Sequence, residues 1–172
     1  MAQDIVNRVA ESKLITIDLE DFYPNGKRHF FDISQWLDQG IILREKDFRQ
    51  QVKNHNWEQY QDSYVAIGCT TDAILPAWAS LLISTHLNLI AKDVFLGDKP
   101  DLENHIFLKV IQDLDVSSFE GKPIIVKGCS EKQIPQNAYI QLLAKLQGVA
   151  KSIFYGEACS SVPLWKKKLS NR

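Results

Sequence analysis

The chain has 172 residues, of which 45% are hydrophobic and 24% are charged, and its formal net charge is −1. A chain of this length lies in the usual range for one domain and can bury a core without disulfides or metals to support it. The near-neutral charge excludes the basic surface that nucleic-acid binding requires. We therefore expect one soluble, globular domain over residues 1–172.

Two features argue against export and membrane insertion. Residues 1–11 mix Asp4, Arg8 and Glu11 with apolar residues, which a signal peptide does not do. The longest apolar stretch, residues 74–90, is interrupted by polar side chains, whereas a membrane span needs about 20 mostly apolar residues. The sequence predicts a cytoplasmic protein, whose three cysteines are reduced thiols.

The first third of the chain predicts a hairpin followed by two helices. Residues 14–19 alternate in the manner of a strand, and the turn signal at 24–26 lets residues 28–33 return as the second strand of an N-terminal hairpin. Ser34 can cap a short helix. The composition of residues 45–55 favours a helix, with Phe48 and Val52 on one face.

The rest of the chain alternates between short apolar runs and longer helical patterns. The runs predict strands and the segments between them predict crossover helices, with strands at 64–67, 94–96, 124–126 and 152–155 and helices at about 76–90, 102–114 and 135–146. This order predicts an α/β fold with a mixed but largely parallel sheet. The segment after the last strand reads as irregular, and no internal repeat is evident.

Each of the three cysteines follows a strand-like run and a glycine. Cys69 follows Gly68, Cys129 follows Gly128, and Cys159 lies three residues after Gly156. In open α/β sheets, ligand sites lie at the carboxyl ends of the parallel strands. If these strands are parallel neighbours, we expect the three sulfurs to meet at one edge of the sheet.

Three thiolates at one point predict a metal site. Soft sulfur ligands select zinc, cuprous copper or an iron–sulfur cluster. Asp72, three residues after Cys69, can supply a fourth ligand from the same turn. Lys127 interrupts an apolar strand two residues before Cys129, and its ammonium group can bind the site as a charge partner.

Each of these residues also has a structural interpretation. Free cysteines often pack as small apolar side chains, Asp72 can cap the following helix, and Lys127 can extend to solvent at a sheet edge. Two other functions therefore stay open. One is an enzyme with Cys159 as its nucleophile, although no histidine has an evident place beside it. The other is a metal-free interaction module, in which the cysteines are packing residues and Trp36, Trp57, Trp78 or Trp165 contributes to a partner surface.

Several stretches together resemble a bacterial family known only as domain of unknown function 2480, and they are residues 42–49, 72–79, 126–129 and 150–166. The family brings no established activity. Its genes are associated with the machinery that mobilises sulfur for iron–sulfur clusters, so the resemblance implies iron–sulfur assembly proteins as partners. The set of three cysteines and one aspartate is also similar to the sites of iron–sulfur scaffold proteins. On these grounds the expected function is a zinc-binding or iron–sulfur-binding accessory protein.

Overall fold

A computed structural model describes residues 14–128, 131–157 and 159–168. The chain divides into two compact units, unit 1 (Met1–Tyr23 and Phe107–Arg172) and unit 2 (Pro24–Ile106). Both units combine helices with largely parallel strands, so the predicted α/β fold class is confirmed. The single domain over residues 1–172 stays a prediction.

The strands of the described residues are β1 (Ile15–Ile17), β2 (Arg28–Asp32), β3 (Tyr64–Gly68), β4 (Asp93–Leu96), β5 (Pro123–Val126), β6 (Ser152–Glu157) and β7 (Ser160–Lys166). The α-helices are α1 (Glu45–Asn54), α2 (Ala77–Leu87), α3 (Lys99–Asp113) and α4 (Gln136–Gln147). Short 3₁₀ turns occupy Leu19–Phe22, Ile33–Trp36, Trp57–Tyr60 and Ser117–Phe119.

The strands form two sheets where the sequence predicted one. Unit 2 contains a parallel sheet in the order β2-β3-β4, and unit 1 contains β1-β5-β6-β7, in which only β7 is antiparallel to its neighbour. The expected N-terminal strand–turn–strand element is present. Its two strands pair in different sheets, β1 with β5 and β2 with β3, rather than with each other as in the predicted hairpin.

The core of unit 2 covers both faces of its sheet. Val65 and Ile67 are buried on one face, where they pack with residues of α1 and α2 such as Phe48. Ala66 lies on the opposite face and packs against Leu102 of α3. Alternate strand residues point to opposite faces, and a parallel sheet is usually covered on both.

The core of unit 1 contains the corresponding layer. Ile124 and Ile153 are fully buried against α4, whose inward face carries Leu142 and Leu146. Phe107 of α3 joins the same cluster. Burying a side chain of this size stabilises a fold by about 1.5–3 kcal/mol, so these positions define the frame of the unit.

The two units are an internal repeat that the sequence interpretation missed. Residues 48–98 align with residues 107–157 without insertion or deletion. The identical pairs are Phe48 and Phe107, Pro76 and Pro135, Ala79 and Ala138, Leu87 and Leu146, Ala91 and Ala150, Lys92 and Lys151, Phe95 and Phe154, and Gly97 and Gly156.

Backbone geometry follows the same alignment. The β3–β4 register, which places Ile67 opposite Leu96, recurs in β5–β6, where Val126 lies opposite Tyr155. The loop hydrogen bonds recur as well: Asp62 N donates to Ile90 O at 3.0 Å, and Gly121 N donates to Val149 O at 2.9 Å. The repeat is therefore one of hydrogen bonding and register as well as of sequence pattern.

The first strands belong to the repeat too. Ile17 of β1 lies opposite Val126, as Phe31 of β2 lies opposite Ile67. An aspartate follows each at the strand end, and its side chain accepts a hydrogen bond from the amide two residues later, at 2.9 Å in both units. The units differ after their last parallel strand. In unit 1 that strand, β6, is followed by β7, and in unit 2 the last strand, β4, is followed by α3.

Candidate functional site

The predicted metal ligands are placed on different sheets. Cys69 follows β3 in unit 2, where it is half-buried and packs against the core, while Cys159 is exposed in the turn between β6 and β7 of unit 1. Cys129 lies outside the described residues. Asp72 is exposed. The expectation that three neighbouring strands deliver three sulfurs to one edge depended on a single sheet, and the chain forms two.

The predicted metal-binding and iron–sulfur function is wrong. Within the described residues, no group of three or more histidine, cysteine, aspartate or glutamate side chains is placed to hold a metal ion. Because Cys129 lies outside the described residues, the ligand set Cys69, Asp72, Cys129 and Cys159 stays a prediction of the sequence alone. The zinc or iron–sulfur cofactor stays a prediction too.

The glycine pattern that suggested the site has another cause. Gly156, at the end of β6, is the counterpart of Gly97, at the end of β4. Gly68 is required for packing, because a Cβ there would lie 2.7 Å from the Phe30 ring and 3.0 Å from the Gly97 carbonyl oxygen. The recurring glycines thus reflect the repeat and close packing at strand ends.

Lys127 has a carboxylate partner within unit 1. Its ammonium group donates to Asp18 Oδ2 at 2.6 Å, which supplies the anion that the sequence interpretation sought in a thiolate. Burial raises the pKa of Asp18, but the hydrogen bonds from Lys127 and from the Glu20 amide outweigh it, so the pKa lies below its ordinary value. The same hydrogen bond raises the pKa of Lys127.

Asp32 is the counterpart of Asp18, and its partners are neutral. It accepts hydrogen bonds from the Thr70 hydroxyl at 2.6 Å and from the Thr70 amide at 3.1 Å. Burial raises the pKa of Asp32, and the hydrogen bonds from Thr70 and Ser34 reverse that effect and hold the pKa below its ordinary value. Both strand-end carboxylates are therefore engaged in local structure.

The described residues also lack the pairing that a cysteine nucleophile needs. Cys69 Sγ lies 3.3 Å from the Thr71 hydroxyl. The four histidines have other partners. His55 hydrogen-bonds the Tyr60 hydroxyl, and the ring of His29 packs edge-on against the Tyr60 ring. His86 stacks on Trp57, and His105 lies 3.1 Å from an Asp93 carboxylate oxygen. No hydrogen bond joins a described cysteine to a histidine, and a general base within hydrogen-bond reach normally activates such a nucleophile.

The tryptophans pack against the cores. Trp36, Trp57 and Trp78 are partly buried against the core of unit 2, and Trp165 packs against that of unit 1. All four tryptophans keep part of their surface exposed, so their contribution to a partner surface stays a prediction.

The most distinctive surface of unit 1 is the edge strand β7. It is the last strand of the described sheet and pairs only with β6, so one side of its backbone faces outward. Val162 and Leu164 are 59% and 49% exposed. An edge strand of seven residues with apolar side chains is a template for pairing with another chain, although Pro163 has no amide hydrogen to donate and the register with β6 shifts between Ile153 and Phe154.

A first hollow, here called the helix-side hollow, lies between β7 and α4. Its volume is about 330 Å³, and its lining is almost wholly apolar, formed by Val126, Gln136, Tyr139, Ile140, Leu143, Tyr155 and Leu164. Ile140 is 59% exposed at its rim. Exposed apolar residues gathered around one groove mark an interaction site more than scattered ones do.

A second hollow, here called the sheet-side hollow, has no helix residue in its lining. Its volume is about 530 Å³, and it is formed by Pro123, Lys151, Ser152, Phe154, Pro163, Leu164, Trp165 and Lys166. Leu164 lines both hollows. The edge strand is therefore flanked by two hollows, one almost wholly apolar and one that also contains Lys151, Ser152 and Lys166 in its lining.

The sequence did contain a signal for β7. Residues 160–166 contain the β-branched Val162 and the aromatic Trp165, residue types that favour strands, together with Leu164. Pro163 made the segment look irregular, yet proline is tolerated in edge strands, where a missing donor can face outward. The strand and its hollows are the functional features that the sequence interpretation missed.

The fold and this edge define a class, a duplicated α/β protein in which one unit carries an additional antiparallel strand at the edge of its sheet. The chain belongs to a family of proteins of unknown function, DUF2480, whose model matches residues 3–167. Searches of curated proteins and of solved structures find no match. Among the described residues, no helix is both long and apolar enough to cross a membrane.

Proposed function

We propose that the protein is a metal-free interaction module that binds an extended segment of another polypeptide as an added strand on β7. Strand addition takes its affinity from main-chain hydrogen bonds along an open sheet edge. β7 offers such an edge within the described sheet.

The single observation that carries the proposal is the pair of hollows beside β7. Successive side chains of an added strand point to opposite faces of the sheet, so a bound segment needs a recess on each face. The helix-side and sheet-side hollows meet this need, and Leu164 contributes to both. Alternate side chains of the bound segment would enter them in turn.

The other unit offers a weaker site of this kind. Its sheet ends at β2 and β4, which have five and four residues, against seven in β7. One face of that sheet is packed against Leu102 and Ile106 of α3. The strand that unit 1 has in addition to the repeat is thus the one suited to binding.

The proposal includes a cytoplasmic location, with Cys69 and Cys159 as free thiols. Iron–sulfur assembly proteins are candidate partners on the ground of the family resemblance alone. Cross-linking from β7 identifies the bound partner without assuming what it is.

Site-specific photo-cross-linking in cells that make the protein natively tests the proposal. Val162→p-benzoylphenylalanine places the cross-linker on β7, and Leu89→p-benzoylphenylalanine, at a side chain that is 82% exposed in unit 2, is the matched control. We expect a discrete covalent adduct with a polypeptide from position 162 and none from position 89. Adding Leu164→Lys should abolish the adduct, because a charged side chain would then replace the apolar residue that helps to line both hollows.

Two results would overturn the proposal. One is the absence of any adduct from position 162. The other is the same set of adducts from positions 162 and 89, which would indicate unspecific contacts.

A further inference from the structure

The edge strand β7 has opposite charges near its two ends. Glu157 of β6 lies opposite Ser160, at the start of β7. Lys166, Lys167 and Lys168 lie at the other end and are exposed. Within the described residues, these three ammonium groups form no hydrogen bond or ion pair. The edge is therefore acidic at one end, basic at the other, and apolar between them.

An edge with this charge order is complementary to itself in the antiparallel direction. A twofold axis at the middle of β7 places the basic end of one strand beside the acidic end of the other, and it does so twice. Such an isologous interface uses the same patch on both subunits. A parallel arrangement would instead bring the lysines of the two chains together.

We propose that the segment bound by β7 is the β7 of a second copy of this chain. The two strands pair antiparallel and join two four-stranded sheets into one continuous sheet. This inference rests on the proposed function and names the occupant of the same edge.

The spacing of strands allows the charged groups to meet. With the axis at Pro163, Ser160 lies opposite Lys166 of the second copy, and with the axis at Leu164 it lies opposite Lys168. Glu157 is then two strands away, about 10 Å at a spacing of 4.7–4.9 Å per strand. Ser160 is small, so the long lysine side chain can reach across it to the carboxylate.

The apolar middle of the edge supplies the rest of the interface. Val162 and Leu164 are exposed in the single chain. In the pair, these two side chains share one face of the strand and lie beside the helix-side hollow of the other copy, where apolar surface is removed from water. The edge that would otherwise invite unspecific aggregation is thereby covered.

Sedimentation equilibrium of the full chain over a range of concentrations tests the inference. We expect a concentration-dependent mass that approaches twice the 19.7 kDa of one chain. Glu157→Lys and Lys166→Glu should each weaken association by at least about tenfold, because like charges then face each other twice. The double variant with both changes should recover most of the affinity, since the charges are exchanged and remain complementary.

The possible outcomes separate the inference from the proposed function. A chain that stays monomeric at all concentrations overturns the second copy as occupant, as does a dimer that neither single charge variant weakens. If position 162 still cross-links to a different protein, strand binding by β7 stands and only the occupant is wrong. If no adduct forms and the chain is monomeric, both fail. Leu89→Lys is the control for unspecific effects of an added charge and should leave the mass unchanged.

Discussion

Units 1 and 2 share one frame and differ at their edges. Each has three parallel strands, an aspartate at the end of the first, and helices whose inward residues correspond pair by pair. Unit 2 ends its sheet at β4 and contains all four histidines of the chain. Unit 1 has no histidine and adds β7. The shared residues are those that packing and backbone hydrogen bonding require, so the unshared ones are where function is to be sought.

The largest effect is expected where the units are most alike. Phe48 and Phe107 are counterparts, and both are fully buried. Phe48→Ala and Phe107→Ala should each lower the free energy of unfolding by about 3–5 kcal/mol, because each leaves a cavity in its core. Chemical denaturation measures both, with Leu89→Ala as an exposed control that should change stability by less than about 0.5 kcal/mol. A cost below about 1 kcal/mol at either phenylalanine would break the correspondence.

A smaller effect is expected at the turn that precedes β3 and β5. Asp62 and Gly121 are counterparts with positive φ, 54° and 67°. A Cβ at Gly121 meets no atom within 4 Å, so Gly121→Ala causes no clash. It should still destabilise the protein by about 1–2 kcal/mol, because alanine is strained at a positive φ. Asp62→Gly should have the opposite sign and a smaller size. Equal stability of wild type and Gly121→Ala in thermal melts would contradict this account of the turn.

The two strand-end aspartates should respond alike to substitution. Asp18→Ala and Asp32→Ala should each cost about 0.5–2 kcal/mol at neutral pH through loss of a capping hydrogen bond. The pKa of each carboxyl is lowered in the fold, so its contribution is full above pH 3.8 and is lost as the pH falls through the folded pKa. Unfolding measured at pH 7 and at pH 3 should therefore show a larger cost at pH 7. A cost that is independent of pH would mean that charge plays no part.

The smallest predicted effect is a loss of stability in mild acid, which arises from His55 in unit 2. Burial lowers the pKa of His55 below its ordinary 6.5, so the folded state favours the neutral ring. The unfolded state then binds a proton more readily, and stability should fall as the pH drops below 6.5. His55→Leu should flatten that part of the profile, measured by denaturation between pH 7 and pH 5. An unchanged slope in the variant would assign the pH dependence to other groups.

Much of the frame could be predicted from the sequence. The helix expected at residues 45–55 is α1, and the four strands expected in the second half are β3 to β6. These elements have strong periodicity, because their apolar residues face a core on a regular spacing. The short element predicted after Ser34 is a 3₁₀ turn, and Asp32 caps it instead.

The repeat and the sites were harder to predict, for physical reasons. The repeat preserves burial and register more than residue identity, so Val65 and Ile124 occupy one position with different side chains. The dipeptides Gly68-Cys69 and Gly128-Cys129 look equivalent, but aligning them shifts the repeat by one residue, because Gly68 corresponds to Lys127. The metal hypothesis assumed one sheet, and nothing local in the sequence states which strands pair. β7 carries little periodicity because most of its side chains are exposed.

Hydrogen–deuterium exchange of the β7 amides as a function of protein concentration tests most directly the claim that this edge is an occupied interface. Residues of β7 that face away from β6 should exchange rapidly in dilute protein and become protected as the concentration rises. The amides of β4, an edge strand of the other sheet, should not change. Exchange in β7 that is independent of concentration, or protection that rises equally in β4 and β7, would contradict the account.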